Sequence, residues 1–285
     1  MDRIGIVGLG RMGSVIAQRM ASQGCEIATW TRSGRSLDGI PFAADLPSLV
    51  AQSDTLILSL LNDDAVGSVL DAILASDITG KQILETSTVV PTVLKNRIAR
   101  IEAKDATAVD APISGGPDLV LAGKCGVFIG GSKEAAKRAK ATLARLTERI
   151  FHVGPLGTGL AMKTINNGML QAYFAGLQDM MPLAREAGLP LETALRILSG
   201  GPAGIPMVAD RIPKVLNQDD TVGFEIRSAV KDADVFLRIA KTYGLTAPSL
   251  ERFAEIARAA TEAGLGGKDP ALMIARAYSE GGKAD

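Results

Sequence analysis

The feature that most constrains the fold is the run IGIVGLGRMG at residues 4–13. Gly8, Gly10 and Gly13 come directly after a short β-branched run and open an amphipathic segment. The first glycine permits a tight turn, the second lets a pyrophosphate approach the backbone, and the third lets a helix pack closely on a strand. We therefore predict a strand, a phosphate-binding turn and a helix, the alternative being a glycine-rich turn without a ligand. The predicted cofactor-binding residues of this turn are Gly8, Leu9, Gly10, Arg11, Met12 and Gly13.

The hydrophobic pattern of the chain changes near residue 155. Before this point, short β-branched runs alternate with amphipathic segments, a pattern that predicts βαβ units and a mostly parallel sheet. After it, the strand signals stop. We predict an α/β dinucleotide-binding domain over residues 1–155 and an all-α domain over residues 156–285. The predicted helices of the second half are 158–187, 190–199, 205–217, 225–243, 247–264 and 270–280.

Charge and cysteine content restrict the partners and the compartment. The chain has 31 Lys and Arg against 31 Asp and Glu, so its formal net charge is zero and gives no reason to expect nucleic acid or an acidic membrane surface as a partner. No apolar run approaches the roughly 18 residues that a membrane span needs. Cys25 and Cys125 lie far apart in segments predicted as strands, so neither a disulfide nor a metal site is expected. The opening MDRIGIVGLG leaves no room for a signal peptide, so we expect a cytoplasmic protein.

The segment TWTRSGRS at the end of the second predicted strand bears on which dinucleotide binds. A site for NAD usually has an acidic residue here, which binds the ribose 2′-hydroxyl. This chain has Thr31 at that position, followed by Arg32, Ser33 and Arg35, whose cations and hydroxyl suit a 2′-phosphate. We predict NADP rather than NAD, the alternative being that these arginines are solvated loop charges.

Four further segments carry polar groups at the ends of predicted strands or the starts of helices. In VDAPISGGP (109–117), successive small residues after a strand can form a nest of backbone N–H groups that receives a carboxylate. In GPLGTGLAMKTINN (154–167), Lys163 and Asn167 are four residues apart and therefore lie on one face of a helix. The segments are ETSTVVP (85–91), VDAPISGGP (109–117), GPLGTGLAMKTINN (154–167) and VKDADVFLRIAK (230–241).

These segments, in this order and after the glycine turn, resemble the β-hydroxyacid dehydrogenase family over residues 4 to about 275. The resemblance implies a Rossmann domain joined by a long helix to an all-α domain that binds substrate and forms dimers or tetramers. It also implies reversible NAD(P)-linked hydride transfer between a small hydroxyacid and its aldehyde or keto acid. The expected partners are thus a carboxylate-bearing substrate and further copies of the chain.

The resemblance implies a set of substrate-site residues. Ser114, Gly115 and Gly116 match the family's substrate-carboxylate loop. Lys163 matches its catalytic lysine, and Asn167 matches an asparagine that helps to orient the substrate. A lysine suits this task because its ammonium can donate a proton to the oxygen on which negative charge develops during reduction.

The resemblance also implies cofactor contacts outside the glycine turn. Thr88 matches a threonine beside the nicotinamide, and Lys231 matches a lysine that closes over cofactor and substrate from the second domain. Leu60 and Leu61 stand where the family usually has Leu-Pro, so this chain lacks that proline.

Several alternatives remain open on the sequence alone. Pro182 lies inside the long helix, where a proline should remove a hydrogen bond and kink or break the helix. Asn166 is predicted to serve packing or backbone hydrogen bonds, and His152, the single histidine, to be structural rather than catalytic. A second function within the same fold is imine reduction, although Asp or Tyr is typical there at the position of Lys163. A third is an NADP-binding protein without turnover.

Overall fold

The computed structural model describes residues 2–281. Internal contacts divide the chain into a first unit, Met1–Asn166, and a second unit, Asn167–Asp285. The first unit alternates strands and helices, and the second unit is helical. The predicted fold class, a Rossmann-type α/β domain followed by an all-α domain, is thereby confirmed.

The described residues of the first unit form an eight-stranded sheet. Its strands are β1 (Arg3–Val7), β2 (Glu26–Trp30), β3 (Thr55–Leu58), β4 (Gln82–Glu85), β5 (Thr107–Asp110), β6 (Ile113–Ser114), β7 (Gly126–Gly130) and β8 (Ile150–Gly154). Their order is β2-β1-β3-β4-β5-β7-β6, and β8 also pairs with β7. β1 to β5 are mutually parallel where they pair, and β8 is parallel to β7. Among the described residues, the only antiparallel pairings are those of β7 with β5 and with β6. The predicted mostly parallel sheet is therefore confirmed.

The helices of the first unit follow most of the strands. They are α1 (Arg11–Ser22), α2 (Leu46–Gln52), α3 (Asp63–Leu74), α4 (Thr92–Lys95), α5 (Ile98–Glu102), α6 (Pro117–Leu121) and α7 (Lys133–Leu143). The central strands are buried over their whole length, as expected for parallel strands covered on both faces. Their carboxyl ends lie at one edge of the sheet, which is where open α/β sheets bind ligands.

A long helix, α8 (Thr158–Glu186), begins in the first unit and ends in the second. The other helices of the second half are α9 (Leu191–Gly200), α10 (Pro206–Val215), α11 (Ile226–Thr242), α12 (Pro248–Ala260) and α13 (Ala271–Glu280). The prediction differs from the structure at the fifth helix, which ends at Ala260 and continues as a π-helical turn, Thr261–Leu265. Gly264 in this turn has φ +84°, a left-handed conformation that glycine adopts without steric cost.

Pro182 does not break α8, contrary to one of the two outcomes predicted for it. The helix continues through this residue to Glu186. Met181 beside it is buried in the apolar core of the second unit. Arg185, one turn further on, donates hydrogen bonds to the carbonyls of Tyr278 and Gly281. These contacts stabilise the last turn, so the loss of one backbone hydrogen bond at the proline does not end the helix.

Within residues 2–281, no helix is both long and apolar enough to cross a bilayer. Over the same residues, His, Cys, Asp and Glu side chains form no group of three or more that could hold a metal ion. Cys25 and Cys125 are free thiols, and each lies one residue before a strand rather than within it.

Candidate active site

The glycine turn after β1 is fixed by close packing of the backbone. Gly8 has φ +99°, and its N–H donates to the carbonyl of Trp30 over 2.9 Å. A β-carbon on Gly8 would lie 2.3 Å from the carbonyl oxygen of Ser59, and one on Gly13 would lie 2.0 Å from the carbonyl oxygen of Gly8. These two glycines are therefore required by the fold of the turn itself.

Gly10 is required by no such contact. A β-carbon there would meet no atom within 4 Å, so the space beside it is open. Gly10 also precedes α1, which has neither a side-chain cap nor an acidic residue in its first turn. Leu9 is buried and offers only its backbone at this surface, whereas Arg11 is exposed and Met12 half-buried. An open glycine at an uncapped helix N-terminus fits the pyrophosphate of a dinucleotide.

The turn after β2 lies next to the glycine turn, because β1 and β2 pair in parallel as far as Val7 and Trp30. Thr31 donates its hydroxyl to the carbonyl of Arg35 over 2.9 Å, which closes the turn. Arg32, Ser33 and Arg35 are exposed. The turn from 31 to 35 carries two cations and no carboxylate, as the sequence shows.

The segments after β3 and β4 are joined by hydrogen bonds. Leu60 donates its N–H to Ser87 Oγ over 2.8 Å, and Val90 donates its N–H to the Asp63 carboxylate over 3.0 Å. Leu61 is 73% exposed, which is unusual for a leucine. The predicted cofactor residues Leu60 and Leu61 thus lie at the carboxyl edge of the sheet. The exposed apolar side chain of Leu61 is accessible there to a bound cofactor.

The start of α8 is held by a buried carboxylate at the end of β5. Asp110 is 1% exposed and accepts the N–H groups of Gly157 and Leu160 over 2.6 and 2.8 Å. Burial raises the pKa of Asp110 to about 6, and these two hydrogen bonds oppose that rise. A β-carbon on Gly130 or Gly159 would lie 2.4 or 2.8 Å from the carboxylate oxygens. Both glycines therefore leave room for the carboxylate at the helix N-terminus, where a negative charge is favoured.

Lys163 lies on α8 just after its first turn and is 7% exposed. Its Nζ donates to Thr88 Oγ1 over 2.8 Å, and Thr88 itself is 8% exposed, beyond the end of β4. The structure thus brings together two residues predicted for the site that lie 75 positions apart. One of the three donor hydrogens of the Lys163 ammonium is thus directed at the Thr88 hydroxyl.

The substrate-carboxylate loop contacts the same helix. Asn166 Nδ2 donates to Ser114 Oγ over 3.0 Å. Asn166 was predicted to serve packing or backbone hydrogen bonds, and the contact of its amide with the side chain of a predicted site residue is one that this prediction did not include. Gly115 has φ +126°, and a β-carbon on Gly116 would meet no atom within 4 Å. The loop therefore offers a hydroxyl and an open backbone on one side of α8.

Glu85 is a buried residue to which the sequence analysis gave no role. It ends β4 in register with Asp110 on β5, and its side chain is 0% exposed. Oε1 accepts the N–H of Ser87 over 2.8 Å, and Oε2 has no hydrogen-bond partner within the described part of the chain. Burial raises the pKa of Glu85 to about 8; the charge of Asp110 also raises it, whereas Lys163 lowers it. The signal that could have identified it is an acid at the carboxyl end of an apolar strand.

Two predicted residues belong to the second unit. Asn167 is its first residue and is half-buried. Lys231 lies on α11 with Nζ 3.3 Å from Oδ1 of Asp232, which is buried. Their roles toward cofactor and substrate stay predictions.

His152 contacts backbone rather than other site residues. Its Nε2 lies 2.9 Å from the carbonyl of Gly131 and 3.1 Å from that of Gly154. The ring thus bridges β8 and the segment after β7, which fits the predicted structural role.

Family models match both halves of the chain. Residues 3–154 match the NAD binding domain of 6-phosphogluconate dehydrogenase, and residues 157–277 match the NAD-binding domain of NADP-dependent 3-hydroxyisobutyrate dehydrogenase. The chain belongs to the β-hydroxyacid dehydrogenase family. As a member of this family it binds a nicotinamide dinucleotide and is an NAD(P)-dependent oxidoreductase of hydroxyacids.

Relatives within the family cover almost the whole chain. Mitochondrial 3-hydroxyisobutyrate dehydrogenase from Drosophila melanogaster is 28% identical over 93% of this chain and 86% of its own length. The 3-sulfolactaldehyde reductase of Escherichia coli is 26% identical over 96% of this chain and 95% of its own length.

Solved structures show the same fold. A 3-hydroxyisobutyrate dehydrogenase from Mycobacterium tuberculosis with L-serine has a TM-score of 0.87 at 24% identity, over 96% of this chain and 98% of that one. An imine reductase from Pseudomonas sp. has a TM-score of 0.60 at 21% identity, over 96% and 98% of the two chains. At these identities the likeness concerns the fold alone.

Proposed function

We propose that this β-hydroxyacid dehydrogenase interconverts a small hydroxyacid and its aldehyde or keto acid with NADP(H), and that Lys163 is its general acid and base. The observation that carries the proposal is the buried Nζ of Lys163, 2.8 Å from Thr88 Oγ1 at the carboxyl edge of the sheet. Three residues further on, Asn166 contacts the Ser114 hydroxyl. One helix therefore presents an ammonium and borders a candidate carboxylate receptor.

The chemistry of the step assigns a task to each of these groups. When bound, the nicotinamide supplies or accepts the hydride. Lys163 donates a proton to the substrate oxygen as negative charge develops there during reduction, and its neutral amine accepts that proton during oxidation. Burial strengthens this interaction, because an ammonium acts more strongly on a nearby oxygen in a medium of low dielectric constant.

The substrate class follows from the loop and from the relatives. Ser114, Gly115 and Gly116 can offer a hydroxyl and backbone N–H groups to a carboxylate. The relatives act on 3-hydroxyisobutyrate and 3-sulfolactaldehyde, which are small molecules with an acidic group. We assign such a substrate to this chain and give Asn167 the task of orienting it.

Cofactor preference is the second part of the proposal. Arg32, Ser33 and Arg35 are exposed beside the glycine turn, and Thr31 replaces the acid that an NAD site usually has. This arrangement supports NADP over NAD. Further cofactor contacts are assigned to Leu60, Leu61, Thr88 and Lys231.

Assembly and location complete the proposal. We assign a homodimer or homotetramer, because α8 and α9 expose large apolar side chains in the second unit. A cytoplasmic location stays a prediction from the sequence.

Imine reduction is the competing function. An imine reductase has the same fold, which is therefore compatible with both functions, whereas Lys163 argues against imine reduction because Asp or Tyr is typical at that position. An NADP-binding protein without turnover is the remaining alternative, and the buried lysine gives it no support.

A steady-state assay tests these functions against one another. Purified protein is assayed with NADPH against glyoxylate, succinic semialdehyde, tartronate and methylmalonate semialdehydes and a cyclic imine. We expect turnover with a carboxylate-bearing aldehyde or keto acid, and a loss of about 10²–10⁴-fold in kcat for Lys163→Ala. The exposed Lys140→Ala serves as the control and should match the wild type. Unchanged turnover by Lys163→Ala would refute the acid and base assignment, and turnover of the imine alone would favour the alternative.

A further inference from the structure

Two buried carboxyl groups bind the backbone on either side of the contact between Lys163 and Thr88. Glu85 and Asp110 end neighbouring strands and are paired in register, and both are at most 1% exposed. Burying two ionisable groups side by side is costly, so such a pair needs a reason beyond packing. Neither group has a role in the chemistry described above.

Each carboxyl group holds one side of that contact. Asp110 accepts the N–H groups of Gly157 and Leu160 and so fixes the start of the helix that carries Lys163. Glu85 accepts the N–H of Ser87, the residue directly before Thr88. A shift of either carboxyl group would therefore change the distance between Nζ and Oγ1.

Glu85 also acts on Lys163 through its charge. The ammonium lowers the pKa of Glu85, so by reciprocity the ionised carboxylate favours the protonated form of Lys163. Asp110 also acts on Glu85, because its charge opposes the ionisation of Glu85. Lys95 in turn favours the ionisation of Asp110. Because burial raises the pKa of Glu85 to about 8, its charge acts in the alkaline range, where lysines lose their protons.

We propose that Glu85 is a positioning residue for Lys163, which fixes Thr88 through Ser87 and keeps the amine of Lys163 protonated in alkaline solution. This inference rests on the proposed role of Lys163 as general acid and base. Asp110 supports the same contact from the helix side.

The test is the pH profile of kcat/KM for Glu85→Gln in both directions of the reaction. Gln keeps an acceptor for the Ser87 N–H but removes the charge. In reduction, which needs the ammonium, we expect the alkaline limb to move down by about one pH unit. In oxidation, which needs the neutral amine, the acid limb should move down by a similar amount. Damage to the structure would instead lower both rates at every pH without moving either midpoint.

Two further variants distinguish the effect of the charge of Glu85 from the effect of its position. Glu85→Asp keeps a carboxylate but shortens its reach, so kcat should fall by about tenfold while the midpoints stay in place. Glu102→Gln, on the exposed end of α5, is the control and should change neither quantity. If Lys163→Ala is inactive and Glu85→Gln leaves both midpoints unchanged, the inference is wrong while the proposed function stands. If Lys163→Ala is fully active, the proposed function itself fails.

A second measurement needs no dinucleotide. The folded-state pKa of Glu85 lies above its unfolded value, so its contribution to stability is present at low pH and is lost as pH rises from about 4.5 to about 8. Gln cannot ionise, so the Glu85→Gln variant does not lose stability in this way as pH rises. The unfolding midpoint of Glu85→Gln in urea, relative to wild type, should therefore rise between pH 5 and pH 8 and then level off. A difference that is constant over this range would contradict the assignment.

Discussion

Arg32 is an exposed side chain to which we assign the preference for NADP. It lies on the turn after β2, beside Ser33 and Arg35, with no acid between positions 31 and 35. A guanidinium that binds a 2′-phosphate makes charge-assisted hydrogen bonds, each contributing about 1.5–3 kcal/mol. We expect Arg32→Ala to lower kcat/KM for NADPH by roughly 10–100-fold and to change that for NADH little. Arg149→Ala, which removes another exposed arginine, is the control. Equal losses with both dinucleotides would exclude a contact with the 2′-phosphate.

In the turn between β1 and α1, two glycines three residues apart have different structural requirements. A methyl group on Gly13 would overlap the carbonyl of Gly8, whereas one on Gly10 would meet open space. Gly13→Ala should therefore lower the free energy of unfolding by about 1–3 kcal/mol, measured in urea. Gly10→Ala should unfold like the wild type but bind NADPH more weakly in a fluorescence titration, because the methyl group occupies the approach of the pyrophosphate. A destabilised Gly10→Ala, or unchanged NADPH binding by it, would contradict this division.

The assembly that we assign to the protein concerns an apolar cleft of about 380 Å³ between α8 and α9 in the second unit. Met180, Leu183 and Ile197 line it and are 57%, 67% and 67% exposed. A contiguous apolar surface of this kind marks an association site. We expect Leu183→Glu to reduce the sedimentation coefficient of the oligomer, whereas Leu245→Glu, an exposed position outside the cleft, should not. A monomeric wild type would refute the assembly that we assign.

The features that depend on local pattern could be predicted from the sequence. The glycine turn, the alternation of strands and helices, and the helical second half follow from residue spacing and periodicity, which the chain carries regardless of how it packs. Pro182 and the end of α12 were predicted less well, because contacts with distant residues decide whether a helix continues.

The assembly of the candidate site depends on contacts between residues far apart in the sequence. Lys163 contacts Thr88 from 75 positions away, and Asn166 contacts Ser114 from 52 positions away. Which side chains meet at the edge of a sheet depends on strand order and on where the helix begins, and neither is encoded in a local pattern. Glu85 is the clearest case. In the sequence it is one acid at the end of one strand. Its burial and its electrostatic interactions with Asp110 and Lys163 appear only in the folded chain.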